Sequence, residues 1–239
     1  VQDWLWVLRQ QDQGRQFLFA PYSTAVGRLV VPKGSSIDSL QVLAGKRLGV
    51  AGGDSDKSWR LLNVLLNQPG QPTMADSIKP RFGAPPLLNQ LALRGDIDAL
   101  LTYWHYAARL ESEGFWTLLT VDELLAKLGI VGPVPMLGWC FSAAAVQGND
   151  PSIARFLAAA EAARQLMAED ASVWLPLKPL MRTTSPAVFE ALKAGFLAGA
   201  PGPVTASTLQ DTTAVAALYL NDKVRAERLV PGIFWPPVQ

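Results

Sequence analysis

The residues best equipped for chemistry are scarce and scattered. His105 and Cys140 are the only histidine and the only cysteine among 239 residues. One thiol and one imidazole are too few for a Cys/His zinc site, and a lone cysteine cannot close an intramolecular disulfide. His105 has an unperturbed pKa suited to proton transfer, but a Ser-His-Asp arrangement needs partners that no G-x-S-x-G elbow announces. Cys140 lies in an apolar run, which predicts a buried, inert thiol. The glycines from Gly49 to Gly53 complete neither a G-x-x-x-x-G-K-(S/T) loop nor a G-x-G-x-x-G fingerprint. These residues therefore predict no catalytic set, no metal and no cofactor; nucleotide hydrolysis would belong to a partner.

Binding is better supplied. Gly53, Asp54, Ser55 and Asp56 form a glycine turn that opens a helix, where free backbone N–H groups and the helix dipole attract an anion or an electronegative oxygen. Asp54 and Asp56 are also ordinary capping residues, and their charge would repel a sulfonate or nitrate, so a ligand here should be neutral or amine-bearing. Trp4, Trp6, Tyr22, Trp104, Tyr106 and Trp139 stand beside expected strand ends and loops, where a ring can stack on a flat or cationic ligand. Trp4, Tyr22 and Trp104 are the preferred cleft residues, with Trp139 also in the ligand set; about half of these rings should prove to be core. Trp59, Trp174 and Trp235 read as packing. Asp3 either accepts from a ligand or caps the helix after it, and Ser23 with Thr24 either contacts ligand or forms a turn.

The elements that must position these residues follow from periodicity and punctuation. Short apolar runs at Phe17 to Ala20 and Arg28 to Val31 read as strands, as does Leu48 to Val50. Helical spacing marks Lys57 to Asn67, capped by Asp54, Ser55 or Asp56. A loop with Pro69, Gly70, Gln71 and Pro72 leads to a strand near Ile78 to Phe82, a helix from Pro85 to Leu93 and a strand from Ala99 to Thr102. Helices are expected at Tyr106 to Ser112 and Val121 to Leu128, then a strand ending at Trp139 to Ser142. Further helices fit Pro151 to Glu169, with Asp150 as N-cap, Pro186 to Leu197, and Leu209 to Asn221; the tail from Pro231 reads as coil. The alternation predicts an α/β chain with a mainly parallel sheet. If the chain enters a central lobe near Gly45 and leaves near Gly138, the flanking segments fold together, giving lobe 1 from residues 1–44 and 140–239 and lobe 2 from residues 45–139. Two such crossings make a hinge, and clefts between domains favour small ligands.

With 49% hydrophobic and 17% charged residues and a net charge of +1, the chain is a folded globular protein without the basic patch of a nucleic-acid binder. Leu128 to Val146 approaches membrane-spanning length, but Gly129, Gly132, Pro133, Pro135 and Gly138 interrupt it, so strand and turn are expected there. No basic and apolar leader opens the sequence.

Several stretches together resemble one family. SLQVLAGKRLGV, ending at Val50, is similar to the S-L-x-D-L-K-G-K-(K/R)-(I/V)-G-V opening of the second lobe in the nitrate/sulfonate/taurine and thiamine-precursor binding proteins of ABC importers. DWLWV (Asp3 to Val7), GGDSDKSW (Gly52 to Trp59), FGAPPLLN (Phe82 to Asn89), GDIDALLTYWHYAARLE (Gly95 to Glu111) and PGIFWP (Pro231 to Pro236) resemble the same group in the same order. The resemblance implies a type II periplasmic-binding-protein fold and a monomer in the periplasm or lipid-anchored outside the cytoplasmic membrane. It implies a small organic ligand (sulfonate, pyrimidine, amine or similar), with an ABC permease and ATPase as partners. It also implies a strand-helix-strand-helix opening ahead of the segment equivalent to DWLWV, elements this chain lacks. Two alternatives share the scaffold: a thiamine-pyrimidine-synthesis-like enzyme, and the effector-sensing domain of a transcription regulator.

Overall fold

A computed structural model describes residues 1–68, 77–146 and 151–236. The chain divides into two compact units, one from Val1–Ala25 and Gly132–Gln239, the other from Val26–Val131. The proline-glycine loop at residues 69–72 and the Asp150 cap lie outside the described residues.

In the first unit, α1 (Trp4–Asp12) starts because the Asp3 carboxylate accepts the Trp6 N–H at 2.7 Å. Strand β1 (Phe17–Ser23) pairs antiparallel with β7 (Leu137–Ser142), with Phe19 opposite Cys140 and Ala20 opposite Trp139. Phe19 is fully buried and meets the Phe234 ring edge-on at 5.4 Å. Helix α6 (Ser152–Glu169) is 18 residues long and buries none of them, leaving Phe156 and Leu166 exposed. Ser185 caps α7 (Pro186–Ala198), with Pro186 at its first position, where a missing N–H costs nothing. Thr205 and Thr208 cap each other's backbone at α8 (Ala206–Leu220), so this helix begins three residues before the apolar run that marks it in the sequence. Helix α9 (Lys223–Leu229) follows, capped by Asp222; it was not expected from periodicity.

The second unit is a five-stranded sheet in the order β4-β3-β5-β2-β6. Strand β3 (Arg47–Ala51) runs parallel to β4 (Lys79–Gly83) and β5 (Ala99–Tyr103). Strand β2 (Gly27–Pro32) runs antiparallel to β5 and to β6 (Phe115–Thr120), so the sheet is mixed rather than mainly parallel. The Asp56 side chain caps α2 (Lys57–Leu66), while Pro85 and Pro86 open α3 (Pro85–Leu93). Helix α4 (Trp104–Glu111) begins two residues earlier than the spacing suggests, directly from β5. A Thr120–Glu123 capping box starts α5 (Val121–Lys127). Val30, Leu88, Ile97, Leu100, Ala107 and Leu110 form a core cluster here.

Two charged contacts fix the sheet. The Arg28 guanidinium donates to both Glu111 oxygens at 2.9 Å, and the Thr117 hydroxyl donates to the same carboxylate, tying β2, α4 and β6 together. Arg47, from the GKR run, donates to Asp98 at 2.6 and 3.1 Å and to the Gly95 carbonyl at 2.8 Å. The start of β3 is thus bound to the turn before β5. The Arg47 hydrogen bond holds the Asp98 carboxyl below its usual range.

The expected boundaries at residues 44 and 139 are corrected. The first crossing falls between Ala25 and Val26, because β2 sits between β5 and β6 and completes the second unit's sheet. The second falls between Val131 and Gly132, because β7 has its partner β1 in the first unit. Among the described residues no helix is long and apolar enough to cross a membrane.

Candidate functional site

In the second unit the carboxyl ends of the parallel strands β3 and β5 meet the start of α2, the place where open α/β sheets present ligand sites. After Ala51 the chain turns at Gly52, whose φ of +91° suits glycine and whose N–H donates to the Gly83 carbonyl at 2.9 Å. A side chain at Gly52 would come within 3.1 Å of the Tyr103 hydroxyl. Gly53, Asp54 and Ser55 are exposed; Asp56 is half-buried and spends one oxygen capping α2 through the Trp59 N–H at 3.1 Å.

The Tyr103 hydroxyl donates to Asp56, and both groups ionise less readily than usual. Burial raises the Asp56 carboxyl, opposed by the N–H groups of Trp59, Ser58 and Lys57. Burial raises the Tyr103 phenol, helped by the charge of Asp56. Trp104, His105 and Tyr106 follow on the first turn of α4, all half-buried. His105 lies 6.2 Å from the Tyr103 ring and 4.6 Å from that of Tyr106, and burial with nearby Arg109 lowers its pKa. The mouth of α2 therefore offers carboxylate acceptors, a phenol, an imidazole held toward its neutral form, and ring faces. This set suits a ligand that donates hydrogen bonds and carries a flat portion.

In the first unit a second aromatic group gathers at the end of β1. The Tyr22 ring meets Trp139 edge-on at 4.9 Å, and Trp139 meets Phe156 at the same distance. Arg164, from α6, lies over the Tyr22 ring at 5.3 Å and donates to the Tyr22 carbonyl at 2.6 Å. The Ser23 hydroxyl accepts the Ala25 N–H at 3.1 Å, and the Thr24 N–H goes to the Gly199 carbonyl at 2.9 Å, so this pair forms the turn into the crossing.

The expected residues thus fall in two groups. Gly53, Asp54, Ser55, Asp56 and Trp104 belong to the second unit; Tyr22, Ser23 and Trp139 belong to the first. Asp3 is a helix cap. Trp4 is corrected: it is fully buried, packs edge-on against Tyr219 at 6.0 Å, and offers no face to a ligand. Of the three tryptophans read as packing, Trp59 and Trp174 are buried, and Trp235 is half-buried, edge-on to Phe141 at 5.6 Å. Tyr103 and Arg164 escaped sequence reading. Tyr103 carried a signal, being the last residue of β5 beside Trp104, whereas Arg164 looks like any arginine on a polar helix face.

Cys140 is half-buried rather than buried, and desolvation pushes its thiol up to about 11. At pH 8 roughly one such thiol in a thousand is ionised, so labelling with a disulfide reagent should run about two orders of magnitude slower than with free cysteine. Labelling as fast as free cysteine would show an activated thiol instead. Among the described residues no three His, Cys, Asp or Glu side chains gather closely enough to hold a metal ion.

No family model and no curated protein matches the sequence. Solved structures do match. The aliphatic sulphonate binding protein SsuA from Escherichia coli is 21% identical with a TM-score of 0.66, the match covering 96% of this chain and 72% of that one. The alkanesulfonate-binding protein SsuA from Xanthomonas axonopodis pv. citri, bound to MOPS, is 20% identical with a TM-score of 0.63, covering 92% and 73%. The desulfurization enzyme DSZB is 17% identical with a TM-score of 0.60, covering 92% and 76%. The fold is therefore mixed α/β of the kind seen in periplasmic binding proteins.

Proposed function

We propose that the chain is the solute-binding component of an ABC importer, holding a small organic molecule unchanged outside the cytoplasmic membrane and passing it to a permease driven by a separate ATPase. The observation that carries this reading is the mouth of α2, which stands at the carboxyl ends of parallel strands in a chain whose fold matches sulfonate-binding proteins along most of its length. Asp54 and Asp56 set the ligand's character. A sulfonate would meet two carboxylates at this mouth, whereas an amine or another hydrogen-bond donor finds acceptors and ring faces.

Thermal unfolding in the presence of small amines, pyrimidines, sulfonates and carboxylates tests the proposal. A ligand that binds only the native state, at a hundred times its Kd, stabilises it by about 2.7 kcal/mol. An amine or pyrimidine should raise the melting temperature and be recovered chemically intact. Asp56→Asn retains a capping oxygen but loses the charge, and should weaken that ligand by roughly tenfold, the scale of one charge-assisted hydrogen bond. A shift that survives Asp56→Asn and Trp104→Ala undiminished would remove the ligand from this mouth.

The likeness to DSZB favours one second reading, an enzyme on the same scaffold. Mass analysis of the recovered ligand separates the two, since turnover alters it and carriage does not.

A further inference from the structure

Gly52, Asp56 and Tyr103 all belong to the second unit and converge where β3 gives way to α2. Gly52 is exposed, and its φ of +91° turns the chain without putting a side chain into the turn. A carbon placed at its Cβ position would lie 3.1 Å from the Tyr103 hydroxyl oxygen and 3.6 Å from Oδ2 of Asp56, and the three atoms nearest to it all belong to these two side chains. The glycine thus leaves a small hollow, open to solvent and bordered by two oxygens.

What the hollow accepts follows from how those oxygens are already used. The Tyr103 hydroxyl gives its single hydrogen to Asp56, so toward a ligand the phenol oxygen offers lone pairs. Oδ1 of Asp56 accepts the Trp59 N–H at 3.1 Å, which leaves Oδ2 beside Gly52. The same carboxylate offsets the positive end of α2, which would otherwise repel a cation. Of the charged residues on this turn, Lys57 opposes a cation and the exposed Asp54 favours one. Because Asp56 is half-buried, a charge touching it is screened less than at an open surface.

Two acceptors and a negative charge around a small hollow call for a compact atom that carries positive charge and more than one hydrogen. We propose that the hollow over Gly52 seats a primary ammonium group, with Asp56 as its counter-ion and Tyr103 as its second acceptor. This rests on the α2 mouth being the ligand site, and it narrows the ligand from hydrogen-bond donors in general to primary amines.

The probes are benzylamine, protonated at pH 7, benzyltrimethylammonium and benzyl alcohol, titrated calorimetrically into the 239-residue chain. All three carry the same ring, and nearby aromatic faces attract a quaternary cation as they do a primary one. Benzylamine should nevertheless bind at least tenfold more tightly than either of the others, since it alone brings both the charge and the hydrogens. Tyr103→Phe keeps the ring and the backbone, and should reduce the preference for benzylamine over the quaternary cation about fivefold or more, a ratio that a general loosening of the fold would leave unchanged. Equal affinity for the two cations, a preference that survives Tyr103→Phe in full, or no binding of benzylamine overturns the proposal. If another class of molecule then raises the melting temperature and is recovered intact, the importer reading stands without this seat. Benzylamine bound with the expected preferences but chemically altered would have the opposite meaning, keeping the seat and removing the importer reading.

Discussion

Gly138→Ala should destabilise the first unit by about 3 kcal/mol or more, the upper range for forcing extra volume into a packed site. A Cβ at this position would lie 2.3 Å from Cε2 and 2.5 Å from Cζ of Phe19, and 2.6 Å from the Ala20 carbonyl oxygen. The phenyl ring cannot step aside, being fully buried against Phe234, and the carbonyl belongs to the strand opposite. Gly138 also exchanges backbone hydrogen bonds with Gln2 at 2.8 and 3.0 Å, so moving the strand breaks a second pairing. Urea unfolding followed by circular dichroism measures the cost. Gly232→Ala is the control, since nothing lies within 4 Å of its added carbon and its φ is ordinary; it should fall within about 0.5 kcal/mol of the parent. Equal midpoints for the two variants would mean that β1 and β7 do not pack as described.

Local signals in the sequence located most elements because the relevant forces are local. Asp56 before an apolar helical run predicts the start of α2, and the paired prolines at 85 and 86 predict that of α3. Strand β6 went unread although Phe115 to Thr120 is aromatic and β-branched, because its order of apolar and polar residues also suits a loop between two helices. The unit boundaries were misplaced for a different reason. Gly45 is the most visible break near the crossing, but what assigns β2 to the second unit is hydrogen bonding to β5 and β6, strands some 70 to 90 residues away. Pairing across such separations leaves no mark on the segment itself.

The site was legible to a similar extent. The glycine turn and capping carboxylate that form the α2 mouth are short-range features and were found. The Tyr103 hydrogen bond to Asp56 joins the end of β5 to the turn after β3, and only the parallel pairing of those strands brings the two groups together. Burial changes their chemistry too. A carboxylate read as a plain charge becomes one whose ionisation is opposed by its surroundings, which sharpens its preference for a ligand that brings a positive charge or a hydrogen.

Trp4 shows how an aromatic beside a helix cap can mislead, and its replacement distinguishes the two roles. In α1 the apolar residues Trp4, Leu5, Val7 and Leu8 form one helical face, and all four are buried. Trp4→Ala should therefore cost about 3–5 kcal/mol, as removal of a buried aromatic does, through the void left against Tyr219. Trp4→Phe should cost far less. It keeps much of the ring volume and removes the indole N–H, which is buried without a hydrogen-bond partner, a group whose desolvation costs about 1–3 kcal/mol. Urea midpoints should rank the parent and Trp4→Phe together, well above Trp4→Ala. The folded fraction of each variant should bind ligand at the α2 mouth with parental affinity. A Trp4→Ala chain of parental stability and lost binding would return Trp4 to the ligand's surface and contradict its place in the core.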